Sequence, residues 1–266
     1  MTIDGYRTAR ATCVLAPNPG PMTLDGTNTW IIAEPGSTSV VVIDPGPNDH
    51  EDHLQRVLAE ARAGDRRVAQ ILLTHGHLDH SGGAARFAEL TGAPVQAADP
   101  AGRLGSEGFA DGDVITAAGS ELRVVATPGH SPDSVSLLLP ADGALFTGDT
   151  VLGRGTTVIG EDGSLGDYLQ SLDQMRALAG GTGLRLLLPG HGPMLTDPIG
   201  ALDYYIAHRA ERLDQVRAAL ATGARTPPEV VAVVYADVDR GLWPAAENSV
   251  KAQLAYLAAQ EDPGRG

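Results

Sequence analysis

The stretch THGHLDHSGG, residues 74–83, puts His75, His77, Asp79 and His80 within six positions, directly after the apolar run VAQILL. Imidazole nitrogens and a carboxylate are borderline ligands suited to zinc or iron. Burying four such groups together is costly unless a cation partners them. Gly76 permits a turn that aims two rings one way, and Gly82 and Gly83 let the backbone pass close to a bound species before a helix begins. A solvated polar loop would explain a lone histidine. It does not explain three further apolar runs that end, each after a glycine, in a ligand-type side chain: LRVVATPG before His130, ALFTG before Asp149 and LRLLLPG before His191.

Seven such groups exceed what one structural zinc takes, and Cys-x-x-Cys is absent. They suit two metals, with His75, His77 and His130 on one, Asp79, His80 and His191 on the other, and Asp149 between. A water or hydroxide shared by both ions would have its pKa drawn towards neutrality and become a strong nucleophile. Asp79 and Asp149 are then the catalytic carboxylates that hold it. The pair is expected to be Zn2+, with iron or manganese as alternatives.

Rigid elements must bring these positions together. TWIIAE and SVVVIDPG read as paired strands, and VAQILLT, ELRVVATPG, SVSLLLP, ALFTGD and LRLLLPG as further strands. Between them DHEDHLQRVLAEARAG reads as a helix burying Leu54, Val57, Leu58 and Ala61, GGAARFAELTG as a short helix stopped by Gly92, and LGDYLQSLDQMRALAGG as a helix turning Leu165, Tyr168, Leu169, Leu172, Met175 and Leu178 inward. Past Pro198 no strand-like run occurs and three helices follow, the second entered through two prolines. The chain therefore divides into an α/β body, residues 1–199, and a helical tail, residues 200–266, that packs on it.

With 266 residues, 42% hydrophobic and 20% charged, the chain can bury a sizeable core. No apolar stretch is long enough to span a bilayer, and MTIDGYRTAR lacks the pattern of a secretory leader. The lone cysteine, Cys13, reads as a small buried side chain and fits a reducing, cytoplasmic setting. The net charge of −14, from 19 basic and 33 acidic residues, repels polyanions and acidic membranes on average.

HGHLDH, followed in order by His130, Asp149 and His191, resembles the ligand signature of the metallo-β-lactamase superfamily. That resemblance implies a four-layer αβ/βα sandwich with a dinuclear metal site at one edge of two sheets. NPGPMTLDGTNTWII, PGHGP and the tail after YIAHRAERLDQV look like the β-lactamase-like protein 2 group, which implies a small winged-helix-like domain at the end of the chain and includes a single-strand-selective endoribonuclease. Only EDPGRG remains after AYLAAQ, so the strands of a wing are short or missing. Asp149 stands where the commonest zinc β-lactamases use cysteine, which disfavours antibiotic hydrolysis. His77 stands where di-iron oxygen-reducing relatives carry glutamate.

The leading expectation is a metal-dependent hydrolase of single-stranded RNA or of small ester or thioester substrates. The alternatives are a mononuclear iron sulfur dioxygenase, and a nucleic-acid or protein interaction module in the tail. The last helix has an apolar stripe that serves either a homodimer or docking on its own body. Outside the metal ligands, Thr27 and Asn28 are substrate-contacting candidates, or simply turn residues. Asp44 is expected to orient a ligand histidine. Ser81, Ser131 and Thr150 are expected to brace the ligand loops. His208 either reaches the site or, as the leading expectation, pairs at helical spacing with Glu211. Arg209, Arg212 and Arg217 either hold a substrate phosphate or carboxylate or, as the leading expectation, form a solvated face with Glu211 and Asp214.

Overall fold

Successive side chains of a strand point to opposite faces. Runs such as SLLL and LLL, apolar at nearly every position, therefore need a core on each side. The computed structural model, which describes residues 3–261, supplies both. In chain order the elements are β1 (Ala11–Leu15), β2 (Asn28–Ile32), β3 (Ser39–Ile43), α1 (Glu51–Arg62), β4 (Arg67–Leu72), α2 (Leu78–Ser81), α3 (Ala84–Thr91) and β5 (Val95–Gln96). Then come β6 (Val114–Ala117), β7 (Ser120–Ala126), β8 (Val135–Leu139), β9 (Ala144–Gly148), α4 (Leu165–Thr182), β10 (Leu186–Pro189), α5 (Pro198–Ala221), α6 (Pro227–Val234) and α7 (Trp243–Glu261).

Two five-stranded sheets form, in the orders β1-β2-β3-β4-β5 and β10-β9-β8-β7-β6. The β3–β4 and β9–β10 pairs are parallel, so within each pair the carboxyl ends emerge side by side. Leu137, Phe146 and Leu188 face the first sheet, where Phe146 meets Trp30 edge-on with ring centroids 5.7 Å apart. Their neighbours Leu138, Leu145 and Leu187 face the other way, onto Tyr168, Leu172 and Met175 of α4. Leu54, Val57, Leu58 and Ala61 of α1, with Phe87 of α3, complete the first core. The layering is the expected αβ/βα sandwich.

Every run read as a strand is one. The short strands β1, β5 and β6 were not expected. The two residues of β5 carry no alternation, and β6 is an edge strand with Val114 exposed. Gly92 ends α3 in the left-handed conformation, φ 71°, as its position suggested. Thr226 and Glu229 close a capping box on α6 behind Pro227 and Pro228.

The tail docks on the body. Leu202, Tyr205, Leu213 and Val216 of α5 and Val250 and Leu257 of α7 share one core with α4, so the apolar stripe of the last helix is used internally. Tyr205 Oη accepts from Leu152 N at 2.8 Å, tying α5 to the loop after β9. Among the described residues no strand follows residue 198, so the tail carries no wing there. No helix among them is long and apolar enough to cross a membrane.

Beneath β3, Thr29 Oγ1 donates to the Asp44 carbonyl at 2.7 Å and accepts from Nε2 of the fully buried His53 at 2.9 Å. Burial, helped by the charge of Arg56, lowers the His53 imidazole from 6.5 to about 4. Between those values the unfolded chain takes up a proton that the folded chain refuses. Stability is therefore full above about 6.5 and falls as pH drops towards 4, by about 3 kcal/mol in all. His53→Gln keeps a donor for Thr29 and is expected to remove that component of acid lability. Urea unfolding of both proteins at pH 7 and pH 4.5 checks it; parallel losses would show that His53 is not the titrating group.

Candidate metal centre

Three strand ends and one hairpin turn deliver the predicted residues. β4 runs through Thr74 into His75 and His77, and the one-turn helix α2 carries Asp79 and His80. Asp149 follows β9, His191 follows the Pro189–Gly190 end of β10, and His130 sits in the turn between β7 and β8. His77 Nδ1 and His130 Nε2 stand 3.0 Å apart, with the His75 ring 4.7 and 5.1 Å from theirs. His80 Nε2 and His191 Nε2 stand 3.2 Å apart, and Asp79 Oδ2 is 3.1 Å from the latter. Asp149 reaches both groups: Oδ1 lies 3.3 Å from His80 Nε2, and Oδ2 lies 3.4 Å from His191 Nε2 and 3.7 Å from His130 Nε2. All seven side chains converge.

Glycines make the approach possible. A Cβ on Gly190 would lie 2.6 Å from His80 Cε1 and 2.7 Å from Asp149 Oδ1. Gly148 adopts φ +47°, and a Cβ there would lie 2.7 Å from Thr74 Oγ1.

The outer nitrogen of each imidazole is engaged. His130 Nδ1 donates to Val158 O at 3.0 Å, His191 Nδ1 to Gly26 O at 3.1 Å, and His80 Nδ1 to Asp44 Oδ2 at 2.9 Å. Thr74 Oγ1 gives its proton to Asp44 Oδ2 and so accepts from His75 Nδ1 at 3.0 Å. His77 Nε2 faces Asp162 Oδ2 at 3.3 Å. These partners fix the tautomers and turn the inner nitrogens, lone pairs forward, towards one another and towards two carboxylates. His75 Nε2 is buried with no hydrogen-bond partner. An inward-facing set of bases and carboxylates with an orphaned buried nitrogen fits bound cations and little else.

The electrostatics agree. Burial drives the His75 imidazole well below its ordinary value. Burial also opposes charge on His80 and His191, but Asp149 and Asp79 outweigh it, holding His80 well above the usual value and His191 at about 9. Burial works against the Asp149 charge too, and His191 and His80 overcome it, keeping the carboxyl well below its usual range. The two carboxylates thus demand positive charge at the centre.

Asp44 acts as expected. Its carboxylate accepts from Thr74 N at 2.8 Å, from Thr74 Oγ1 and from His80, which holds a non-glycine residue at φ 51°. Ser81 braces the first ligand loop through Gly76 O, Ser131 bonds Asp133 and Ser134, and Thr150 bonds Thr127.

Thr27 and Asn28 lie beside the site, Thr27 bridging to His191 in antiparallel fashion, but neither has exposed surface. Both are fully buried, and Asn28 Nδ2 donates to Pro189 O and Gly192 O at 2.9 Å each, holding the His191 loop. Arg217 pairs with Asp214 as expected, but its neighbours depart from a solvated face. Arg209 is buried against the Tyr168 ring, because α5 lays that face on α4, and its guanidinium donates to Thr157 O. His208 lines a cleft beside the Tyr204 ring and makes no hydrogen bond with Glu211, which bonds Gln215 instead. That cleft, about 270 Å³, runs from His130 and Asp149 to His208, Arg209 and Arg212 of α5. Asp162 and the Val158 and Gly26 carbonyls are the site features the sequence did not reveal, while Arg209 and Arg212 take the less favoured of their two expected places.

Comparison with known proteins agrees with this geometry. Residues 22–191 match the family described as Metallo-beta-lactamase superfamily, and residues 226–261 match the Beta-lactamase associated winged helix domain. A Drosophila melanogaster protein named Beta-lactamase-like protein 2 homolog is 36% identical, covering 92% of this chain and 86% of its own. An Aspergillus fumigatus protein named Atrochrysone carboxyl ACP thioesterase is 35% identical, covering 85% of this chain and 73% of its own. The crystal structure of a metallo-beta-lactamase family protein from Thermus thermophilus shares the fold, with a TM-score of 0.78 at 24% identity over 94% of both chains. A family match over more than half the chain, two lengthy relatives above 30% identity and a converging set of histidines and aspartates lead to one conclusion: the chain belongs to the metallo-β-lactamase superfamily.

Proposed function

We propose that this chain is a dinuclear zinc hydrolase of small thioester or ester substrates. The observation that carries the reading is Asp149, a buried carboxylate within 3.7 Å of inner nitrogens from both histidine groups. His75, His77 and His130 would hold one cation, Asp79, His80 and His191 the other, with Asp149 shared. Two divalent cations so held would supply a nucleophile from water at neutral pH and polarise the carbonyl under attack. Water adds to the acyl carbon, the C–S or C–O bond breaks, and acid and thiol or alcohol leave. Asp79, the more exposed of the two carboxylates, would give the cation the oxygen that faces His80 and His191, leaving the other to hold the attacking water and pass its proton to the leaving group.

Support for thioesters comes from the relative named a thioesterase and from the apolar side chains Leu24, Leu152 and Val158 along the cleft. The RNA reading has less support, because a net charge of −14 attracts polyanions poorly and the tail has no wing among the described residues. We read residues 1–199 as the catalytic body and 200–266 as a tail that completes the cleft. Buried Cys13, the lone cysteine, whose thiol burial pushes up, suits a reducing cytoplasm.

Elemental analysis of purified protein is expected to give two zinc ions per chain. A panel of acyl thioesters and esters beside labelled single-stranded RNA, at low and moderate salt, is expected to show thioester turnover that His77→Ala abolishes. RNA cleavage lost in the same variant, without thioester turnover, would establish the nuclease reading instead. A single iron per chain would move the chemistry to sulfur oxidation.

A further inference from the structure

About half of the described cations have a carboxylate partner, among them Arg7 with Glu60, Arg176 with Asp203, Lys251 with Glu161 and, at the cleft, Arg154 with Asp25; others, such as Arg62, Arg66 and Arg185, spend their donors on backbone carbonyls at the surface. Arg209 and Arg212 differ. Among the described residues no carboxylate pairs with either. Arg209 is 4% exposed, and its Nε is buried without a partner. Its other contacts are the Thr157 carbonyl and the Tyr168 ring, 4.9 Å from the guanidinium carbon. Arg212 uses Nη1 on Gln215 Oε1 at 2.8 Å and on Val234 O at 3.2 Å, and lies over the Tyr235 ring at 4.7 Å. Beside Arg209 on the same helix, His208 Nδ1 is also buried without a partner. All three line the cleft that begins at His130 and Asp149.

A buried arginine with an idle Nε–H is costly unless a ligand satisfies it. Two cations one helical turn apart, in a cleft whose lining includes the apolar Leu24, Leu152, Val158 and Leu242, make an amphipathic receptacle in which neither guanidinium meets a carboxylate. Burial and the charges of Arg209 and Arg212, against that of Glu211, lower the His208 imidazole and so disfavour a third positive charge beside them, while its ring nitrogens remain able to hydrogen-bond.

We infer that Arg209, Arg212 and His208 form an anion subsite that selects the substrate: they hold a carboxylate or phosphate of the molecule while the apolar wall holds its chain and His130 and Asp149 face the scissile bond. This deepens the hydrolase reading and rests on it for the position of that bond. The anion has two sources, a carboxylate ending the acyl chain or a phosphate on the thiol carrier.

Binding of non-hydrolysable thioethers to the metal-loaded full chain separates them. One matched pair is S-(5-carboxypentyl)-N-acetylcysteamine and its methyl ester, which lack phosphate. The other is S-pentyl pantetheine with and without its 4′-phosphate. In one pair the anion is expected to bind about tenfold more tightly by calorimetry, as a charge-assisted hydrogen bond allows. That preference falls to parity in Arg212→Gln and largely returns in Arg212→Lys. His208→Ala, which removes a ring with no hydrogen-bond partner at Nδ1, is the second variant and is expected to weaken the preference about threefold. Parity of both pairs in the unaltered protein overturns the inference. So does a preference that survives Arg212→Gln and His208→Ala, since the anion would then sit on the metal centre. An anion preference without any thioester turnover would keep the subsite and sink the hydrolase reading.

Discussion

Asp149→Ala is expected to lower kcat/KM at least about a thousandfold and to leave the protein short of both metals. A single electrostatic group acting on the transition state is worth about 10²–10³ by itself. Asp149 does more than that. Its two oxygens face His80, His191 and His130 at 3.3, 3.4 and 3.7 Å, so one deletion opens both histidine groups. It also removes the buried negative charge that holds His80 well above its ordinary value. Asp79 is the control. Among the described residues its carboxylate reaches His191 and His80 but neither His77 nor His130, so Asp79→Ala is expected to spare one metal and retain a stoichiometry near one. The check is elemental analysis beside turnover of the best thioester. An Asp149→Ala protein that keeps both metals, or more than about a tenth of the activity, would remove the shared carboxylate from the mechanism.

The ligands were legible in the sequence because each obeys a local rule. His130, Asp149 and His191 follow an apolar run and a glycine, and the glycines are there because a Cβ at 190 would collide with His80 and Asp149. What orients those ligands was not legible. Val158 and Gly26 contribute backbone carbonyls, which any residue would supply. Asp162 lies in the sequence GEDG, where neither periodicity nor an adjacent strand marks it. Arg209 was misjudged although a signal existed. Leu202, Tyr205, Leu213 and Val216 define the buried stripe of α5, and position 209 falls on it at helical spacing. Residue type suggested a solvated face, while periodicity placed the guanidinium indoors. The same conflict marks Thr27 and Asn28: polar residues in a glycine-led turn read as substrate contacts or plain turn residues, yet they pack against the His191 loop and are buried.

Stripping the metals with a strong chelator is expected to abolish turnover, lower the melting midpoint by about 10 °C or more, and leave a cooperative transition. Ligand binding to the folded state stabilises by about 2.7 kcal/mol per site at a hundredfold excess over Kd, so two sites give about 5 kcal/mol. For a chain of this size each kcal/mol moves the midpoint by about 2–4 °C. The centre joins segments far apart in the chain, since His80, His130, Asp149 and His191 come from four separate loops and His191 is held in turn by Gly26. A cation there restrains all of them together. The fold itself survives removal, because protons on His80 and His191 answer the carboxylates and the two cores lie away from the site. Readdition of zinc, iron or manganese one at a time then identifies the active cation as the one that restores both turnover and midpoint. The Asp149→Ala protein supplies the internal standard: with no shared carboxylate, its midpoint is expected to shift far less on chelation, and an equal shift would mean that the stabilising cation sits somewhere other than this centre.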